Sequence, residues 1–409
     1  MGPLVGVSFI SAVRTYAEAS GLGGSAAGVG EAFSPLVGVF APTFSACELG
    51  AAFLLPFVGI RLVSGDRLSG ALKLELQRPM PPGARVAAKA IVLLAAWLVA
   101  LAAGALAVAL WRMYGGSVYP PELGAIVLGH VLNAGLTIAL AAAAASLTEH
   151  PSTAAILTLS VTVGTWIVSF VAAVQGGIWE RIAAYTPTAM VAEFQHGLIR
   201  LDAVLVACAL TGSGLALSAI WMRLGESVHR RVYESIALAA AALAVVLVAT
   251  FASTSWDVSE NRMNSFPESD EAALRQIREP LRIEAHLAPE DPRRSDLERR
   301  ALSKLRRVMP TLQVDYVSST SIGLFEQTSS QYGEIWYDLG GRKAMSRTTT
   351  AEGVLETIYS LAGVTPPVES DSVFRGHPLA VPPKGAAAVF YGIWPAVVVA
   401  GALLVRRWR

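Results

Sequence analysis

Long apolar runs set the pattern of the chain, at about Thr43–Ile60, Ala88–Leu110, Leu123–Leu147, Ser152–Val174, Ala203–Met222, Ser235–Thr254 and Ala386–Val405. A helix needs roughly 20 mostly apolar residues to cross a bilayer, so each run predicts a membrane span. An eighth run, GPLVGVSFISAV from Gly2 to Val13, is too short by itself. It matches a signal-peptide core in size and Ala17-x-Ala19 follows it, but no Lys or Arg precedes it. The expectation is the second half of a first span that starts upstream. On either reading Arg14 to Ser34, with its GLGGSAAGVG, lies outside.

Between Trp256 and Lys384 the pattern shortens. Ser265-Phe-Pro-Glu268 reads as a capping box, with Pro267 in the first turn of an amphipathic helix through Ile277. LRIEAHL alternates as a strand, and RSDLERRALSKLRRV puts Leu297, Ala301, Leu305 and Val308 on one helical face. LQVDYV is a second strand, GEIWYDLGGRKAMSR a hairpin turning at Gly340-Gly341, and TAEGVLETIYSLAG a closing helix ending at Gly363. Strand, helix, strand, hairpin, helix is the order of a small thioredoxin-like α/β layer. Without a Cys-x-x-Cys the dithiol chemistry of that fold is excluded. The expected fold is a polytopic α-helical membrane protein of about seven or eight spans carrying this α/β domain.

Composition agrees: 53% of the residues are hydrophobic, 15% are charged and the mean hydropathy is +0.50, too apolar for a soluble chain of 409 residues. A net charge of +1 gives no basic field for nucleic acid, so the cations are informative by position. Arg61, Arg67, Lys73, Arg78, Arg85 and Lys89 share one loop, Arg223, Arg230 and Arg231 another, and Arg406, Arg407 and Arg409 end the chain. The positive-inside rule makes all three cytoplasmic. The turn MYGGSVYPPE and the stretch 256–384 then fall outside the cell membrane, and the N-terminal region of a full-length form falls inside. Cys47 and Cys208 sit in apolar runs, which argues against a disulfide framework.

Few residues suggest chemistry. His130 and Asn133 lie one turn apart inside a span, where polar side chains are costly and either bond neighbouring helices or line a path. Glu48 raises the same question near the outer end of its predicted span. Glu193 and His196, at i and i+3, are two metal-ligand types without a third, so no metal is expected. His286 beside Glu284 and the run EDPRRSDLERR read as polar surface. No P-loop motif occurs, so ATP is not bound that way here, and no nucleophile is paired with a base.

The loop VSGDRLSGALKLELQRPMPPGARVAAK places Leu68, Ala71 and Leu72, with Leu74 and Leu76, on a short helix that Pro79 stops. Such a helix could dock a soluble partner or rest on lipid headgroups. The segment Gly65, Asp66-Arg67, Gly70, Leu72 to Leu76, Pro79 and Lys89 resembles the loop of type 2 ABC exporter permeases, with Asp66 in place of Glu and Ala71 in place of Thr. A second stretch, AAYTPTAMVAEFQHGLIRLDAVL, is similar to that family's outer segment, in which short helices dip into the membrane and end in Phe-x-x-Gly-x-Ile; here these are Phe194, Gly197 and Ile199.

Further on, Asp257-Val258-Ser259-Glu260-Asn261-Arg262 and Ser265 resemble the juxtamembrane signature of the auxiliary component of gliding-motility-type ABC transporters. That component has a second, larger lobe with no counterpart here. The resemblance implies a permease over 1–232, an anchor helix over 233–255, an extracytoplasmic domain over 256–384 and a last span over 386–405. It implies a dimer of permease units in membrane lipid and separate ATPase subunits holding ATP and Mg. Two other classes stay open: a non-transporting scaffold whose outer domain binds a cell-surface partner or glycan, and an intramembrane enzyme using His130 or Glu48.

Overall fold

The computed structural model describes residues 1–21, 33–68, 70, 80–175, 178–223, 225–252, 254–288, 291–309, 311–317, 331–367 and 374–407. The chain divides into two compact units. One comprises Met1–Phe170, Ile178–Asn261 and Phe374–Arg409; the other comprises Val171–Gly177 and Arg262–Val373.

The first unit is helical. Helix α1 spans Gly2–Gly21, continuing past Val13 through Arg14 and Glu18. A π-turn over Leu36–Phe40 leads into α2, Ala41–Leu68. Helices α3 (Pro82–Ala100) and α4 (Ala102–Met113) join through Leu101. Then come α5 (Pro120–Leu147), α6 (Pro151–Gln175), two short helices α7 (Ile178–Ala183) and α8 (Pro187–Gln195), strand β1 (Leu198–Arg200), α9 (Leu201–Trp221), α10 (Val228–Ala249) and strand β2 (Ser255–Asp257). A C-terminal helical segment, Ala386–Arg407, ends the unit.

Among the described residues seven helical segments are long and apolar enough to cross a membrane, one for each predicted run. This makes the chain a multi-pass helical membrane protein. The helices outrun the apolar stretches because local chemistry extends them. Pro82, Pro120 and Pro151 stand at or next to the first helical position, where a missing N–H and a fixed φ do no harm. Ser227 caps α10 by accepting from the Arg230 N–H, and Arg230 pairs with Glu226 and Glu234 along its polar first turns. The expected boundary between 232 and 233 therefore falls inside a continuous helix.

Around α5 the interior of this unit is built largely from small residues. Ala141, Ala142, Ala144 and Ala145 of α5 pack with Ile60, Val63, Val86, Ala154 and Met222. A Cβ on Gly214 of α9 would come within 3.0 Å of the Ala139 Cβ and 3.2 Å of its backbone. Close backbone approach replaces the hydrophobic drive that lipid removes. Larger side chains such as Ile91, Val99 and Phe170 face outward.

In the second unit, α11 is Glu268–Gln276, β3 Leu281–Ala285, α12 Pro292–Leu297, α13 Ser303–Val308, β4 Gln313–Tyr316, β5 Ile335–Leu339, β6 Arg342–Ser346 and α14 Ala351–Ala362. The sheet order is β4-β3-β5-β6, with β3 and β4 parallel and the other pairs antiparallel. Leu281, Ile283 and Ala285 of β3 alternate inward against Ile335, Tyr337 and Leu339 of β5. A π-turn over Glu298–Leu302 between α12 and α13 shifts the helical register, so Leu302 joins Leu297, Ala301, Leu305 and Val308 in the core. Gly340 and Gly341, at φ +58° and +87°, make the tight hairpin turn that needs two left-handed residues. Thr350 caps α14 and Gly363, at φ +68°, ends it.

The expected capping box does not form. Helix α11 begins at Glu268 after an extended Pro267 that makes no side-chain cap, because proline disfavours helical geometry in the residue before it. The Ser265 N–H donates instead to the Arg262 carbonyl at 3.1 Å. Glu268, Asp270 and Glu271 in the first turn supply the negative charge that a helix start favours.

Candidate functional site

Three groups of predicted site residues land in different parts of the membrane unit. In the loop group, Gly65, Asp66 and Arg67 lie in the last turns of α2, so the charged pair follows directly on the span that ends at Gly65, and Leu68 belongs to α2 and not to a separate loop helix. Gly70 follows at φ +76°, a conformation that stops a helix. Leu72, Leu74, Leu76 and Pro79 lie outside the described residues. Lys89 sits in the second turn of α3.

The intramembrane group is held by polar bonds to α8. The apolar span containing Glu48 runs from Leu36 to Gly65, so Glu48 lies about 18 Å along the helix from Leu36, near mid-span and not at the outer end expected from the shorter run. The side chains of Thr188 and Trp166 hydrogen-bond to its carboxylate. His130 is fully buried, with Nε2 3.3 Å from Gln195 Nε2 and its ring 5.8 Å from that of Phe44. Asn133 is buried one turn on. Thr188 and Gln195 stand at opposite ends of α8, so that short helix is tied to α2 at one end and to α5 at the other.

The third group is a junction. Thr186 caps α8 and Pro187 starts it; Phe194 is fully buried, and a Cβ on Gly129 of α5 would lie 2.7 Å from the Phe194 Cβ. Gly197, at φ +77°, turns the chain into β1. Strands β1 and β2 pair antiparallel, setting Leu198 opposite Asp257, Ile199 opposite Trp256 and Arg200 opposite Ser255. The Val258 N–H donates to the Gly197 carbonyl at 2.8 Å, and the Leu201 N–H to the Thr254 carbonyl at 3.0 Å. Asp257 Oδ1 accepts from the Ser259 N–H at 3.1 Å and from its hydroxyl at 2.5 Å. The Phe194-Gly197-Ile199 segment and the Asp257–Asn261 segment therefore form one hydrogen-bonded structure. Arg262, the next residue, has a left-handed φ of +50° and pairs with Glu268 at 3.2 Å.

Residues that the sequence reading passed over complete this junction. Glu122, buried in the first turn of α5, accepts from the Glu260 N–H at 2.8 Å. The Glu260 carboxylate meets His377 Nε2 at 3.1 Å. His377 donates its backbone N–H to the Phe33 carbonyl at 2.8 Å, and the Tyr16 hydroxyl bridges the carbonyls of Phe33 and His377. Leu379 and Lys384 bond to Ser20 and Tyr114 through their backbones. Beside the ladder, Arg200 bridges Glu193 at 2.8 Å and Asp202 at 2.5 Å, with Tyr185 on Asp202. Burial works against the Arg200 charge, but these acids outweigh it and hold the guanidinium ionised. Glu193 is thus engaged by a cation, and the His196 Nδ1 by the Ala192 carbonyl. Among the described residues no cluster of three metal-ligand side chains occurs.

The only sequence signals for these partners were an acid just after Pro120-Pro121 and a lone histidine before Pro378. Comparison with family models, with curated proteins and with solved structures finds no match for the chain.

Proposed function

We propose that this chain is the transmembrane permease subunit of an ABC-type exporter with an extracytoplasmic accessory domain fused to it, driven by ATP and Mg on separate ATPase subunits. One observation carries the reading. Two segments that resemble two different components of one kind of transporter, around Gly197 and around Ser259, share a two-stranded ladder. A chain that fuses the two components has reason to join them there.

In this reading the basic loops face the cytoplasm, and the unit from Arg262 to Val373 is extracytoplasmic and thioredoxin-like, a name its β4-β3-β5-β6 order supports. The Gly65–Lys89 loop receives the ATPase stroke and switches the spans between inward and outward access. Mid-span Glu48, bonded by Trp166 and Thr188, belongs to the polar path between two permease units, and His130 and Asn133 hold α5 beside it.

The test is association with an ATPase. The intact protein is expected to co-purify with one and to raise its ATP hydrolysis in vesicles, and scrambling 68–76 is expected to abolish both. Retained association after scrambling counts against the reading. Association without any stimulation favours a scaffold whose outer domain binds a cell-surface partner or glycan.

A further inference from the structure

Helices α2 and α6 run antiparallel and touch along part of their length. Phe53 meets Trp166 edge-on at 5.9 Å, and Trp166 reaches Glu48. Toward the Gly65 end of α2 and the Pro151 end of α6 a cleft of about 430 Å³ opens between them. Its walls are apolar, from Phe57, Ile60 and Ala155, and its polar groups are Arg61, Ser64 and Ser152. Among the described residues no acidic side chain lines it. Among the described residues Arg61 has neither an ion pair nor a hydrogen bond, and it is exposed.

The position of this cleft selects its ligand. Arg61 lies about 38 Å along the span from Leu36, beyond the ~30 Å hydrocarbon core if the helix is centred. At that depth an arginine rests its stem on apolar surface and its head among lipid phosphates. Helix α6 starts at the same level, with Ser152 in its first turn. Its leading N–H groups and its dipole favour an anion there. A free phosphate would use the cation and the hydroxyls but leave Phe57, Ile60 and Ala155 idle; a lipid uses both.

We propose that this cleft binds an anionic phospholipid, with the phosphate held by Arg61 and the Ser152 end of α6, and an acyl chain lying along Phe57, Ile60 and Ala155. The inference needs the spans to cross a bilayer and nothing of the exporter reading. An exporter without this site, or this site in a scaffold, would each be a clear result.

Native mass spectrometry of the full chain, released from detergent and titrated with phosphatidylglycerol, tests it. Arg61→Gln is expected to weaken the tightest lipid adduct about tenfold, equivalent to ~1.4 kcal/mol, and Arg61→Lys much less. Ser152→Trp, at an exposed position, fills the cleft and is expected to remove the adduct with Arg61 still present. An unchanged melting temperature in detergent establishes that each variant is folded. The proposal is overturned if Arg61→Gln and Ser152→Trp both keep the wild-type affinity. It is equally overturned if millimolar inorganic phosphate displaces the lipid from the wild-type protein, since the site would then be one for the ion alone.

Discussion

The two units differ in what fills their central contacts. In the Arg262–Val373 unit the large apolar side chains point inward, and Leu281, Ile283, Ile335 and Tyr337 form one core with Leu297, Leu302 and Ile358. Water drives that arrangement. In the membrane unit large side chains fall on both sides, Phe9, Phe40 and Trp111 buried and Ile91, Val99 and Phe170 facing outward, while alanine and glycine dominate the contact between α5, α2 and α9. Lipid gives no reward for burying a leucine, so shape and polar bonds decide which faces meet.

Mutations can break this contrast. Ile283→Ala should have the largest effect, about 2–5 kcal/mol from lost burial and the cavity left behind. Hydrogen exchange of the full chain should show β3 and β5 losing protection while the spans keep theirs. Matching loss in the spans would mean that the units do not fold separately.

Gly214→Val tests the small-residue contact, because it adds volume where two backbones nearly touch. Overpacking of this kind costs about 1–3 kcal/mol, read as a lower melting temperature in detergent. A neutral result would mean that α5 and α9 are not held by close approach.

Two glycines then separate strain from contact. Gly363→Ala in the Arg262–Val373 unit meets open space and bears only its left-handed φ, about 1 kcal/mol. Gly197→Ala bears the same strain and also meets the Ser259 backbone N at 3.0 Å. Its loss should be the greater, read as faster exchange of the Val258 N–H. Equal losses would remove the ladder contact from the account.

The smallest effect concerns acid. Arg293 hydrogen-bonds the Asp291 carboxylate, with Tyr332 also donating to it, and holds its pKa down at about 2. A depressed carboxylate contributes stability that is complete above the unfolded value of about 3.9 and is lost as pH falls toward 2. Asp291→Asn should flatten the stability of the Arg262–Val373 unit over that window alone, as followed by Trp336 fluorescence.

The spans were legible because twenty apolar residues in a row have few other uses, and the elements of the Arg262–Val373 unit because their alternation and their Gly340-Gly341 and Gly363 stops are local. The Ser265 capping box failed although its pattern was local, because Pro267 delays the helix. Glu48 looked close to the outer end of its span only because the apolar run understated its helix, which begins at the Leu36 π-turn. Glu122 was invisible for a different reason: its partner Glu260 is 138 residues away, and no periodic pattern reports a pairing at that range.

The hydrogen bond between Glu260 and His377 closes a gap of 117 residues. The chain thus departs from and returns to the first unit at two points that this unit holds together. Bringing those points together needs a connection of only a few residues, and closing a short loop adds little entropy cost. The stretch 262–373 is in this sense an insertion between two points, Glu260 and His377, that the first unit already holds in contact.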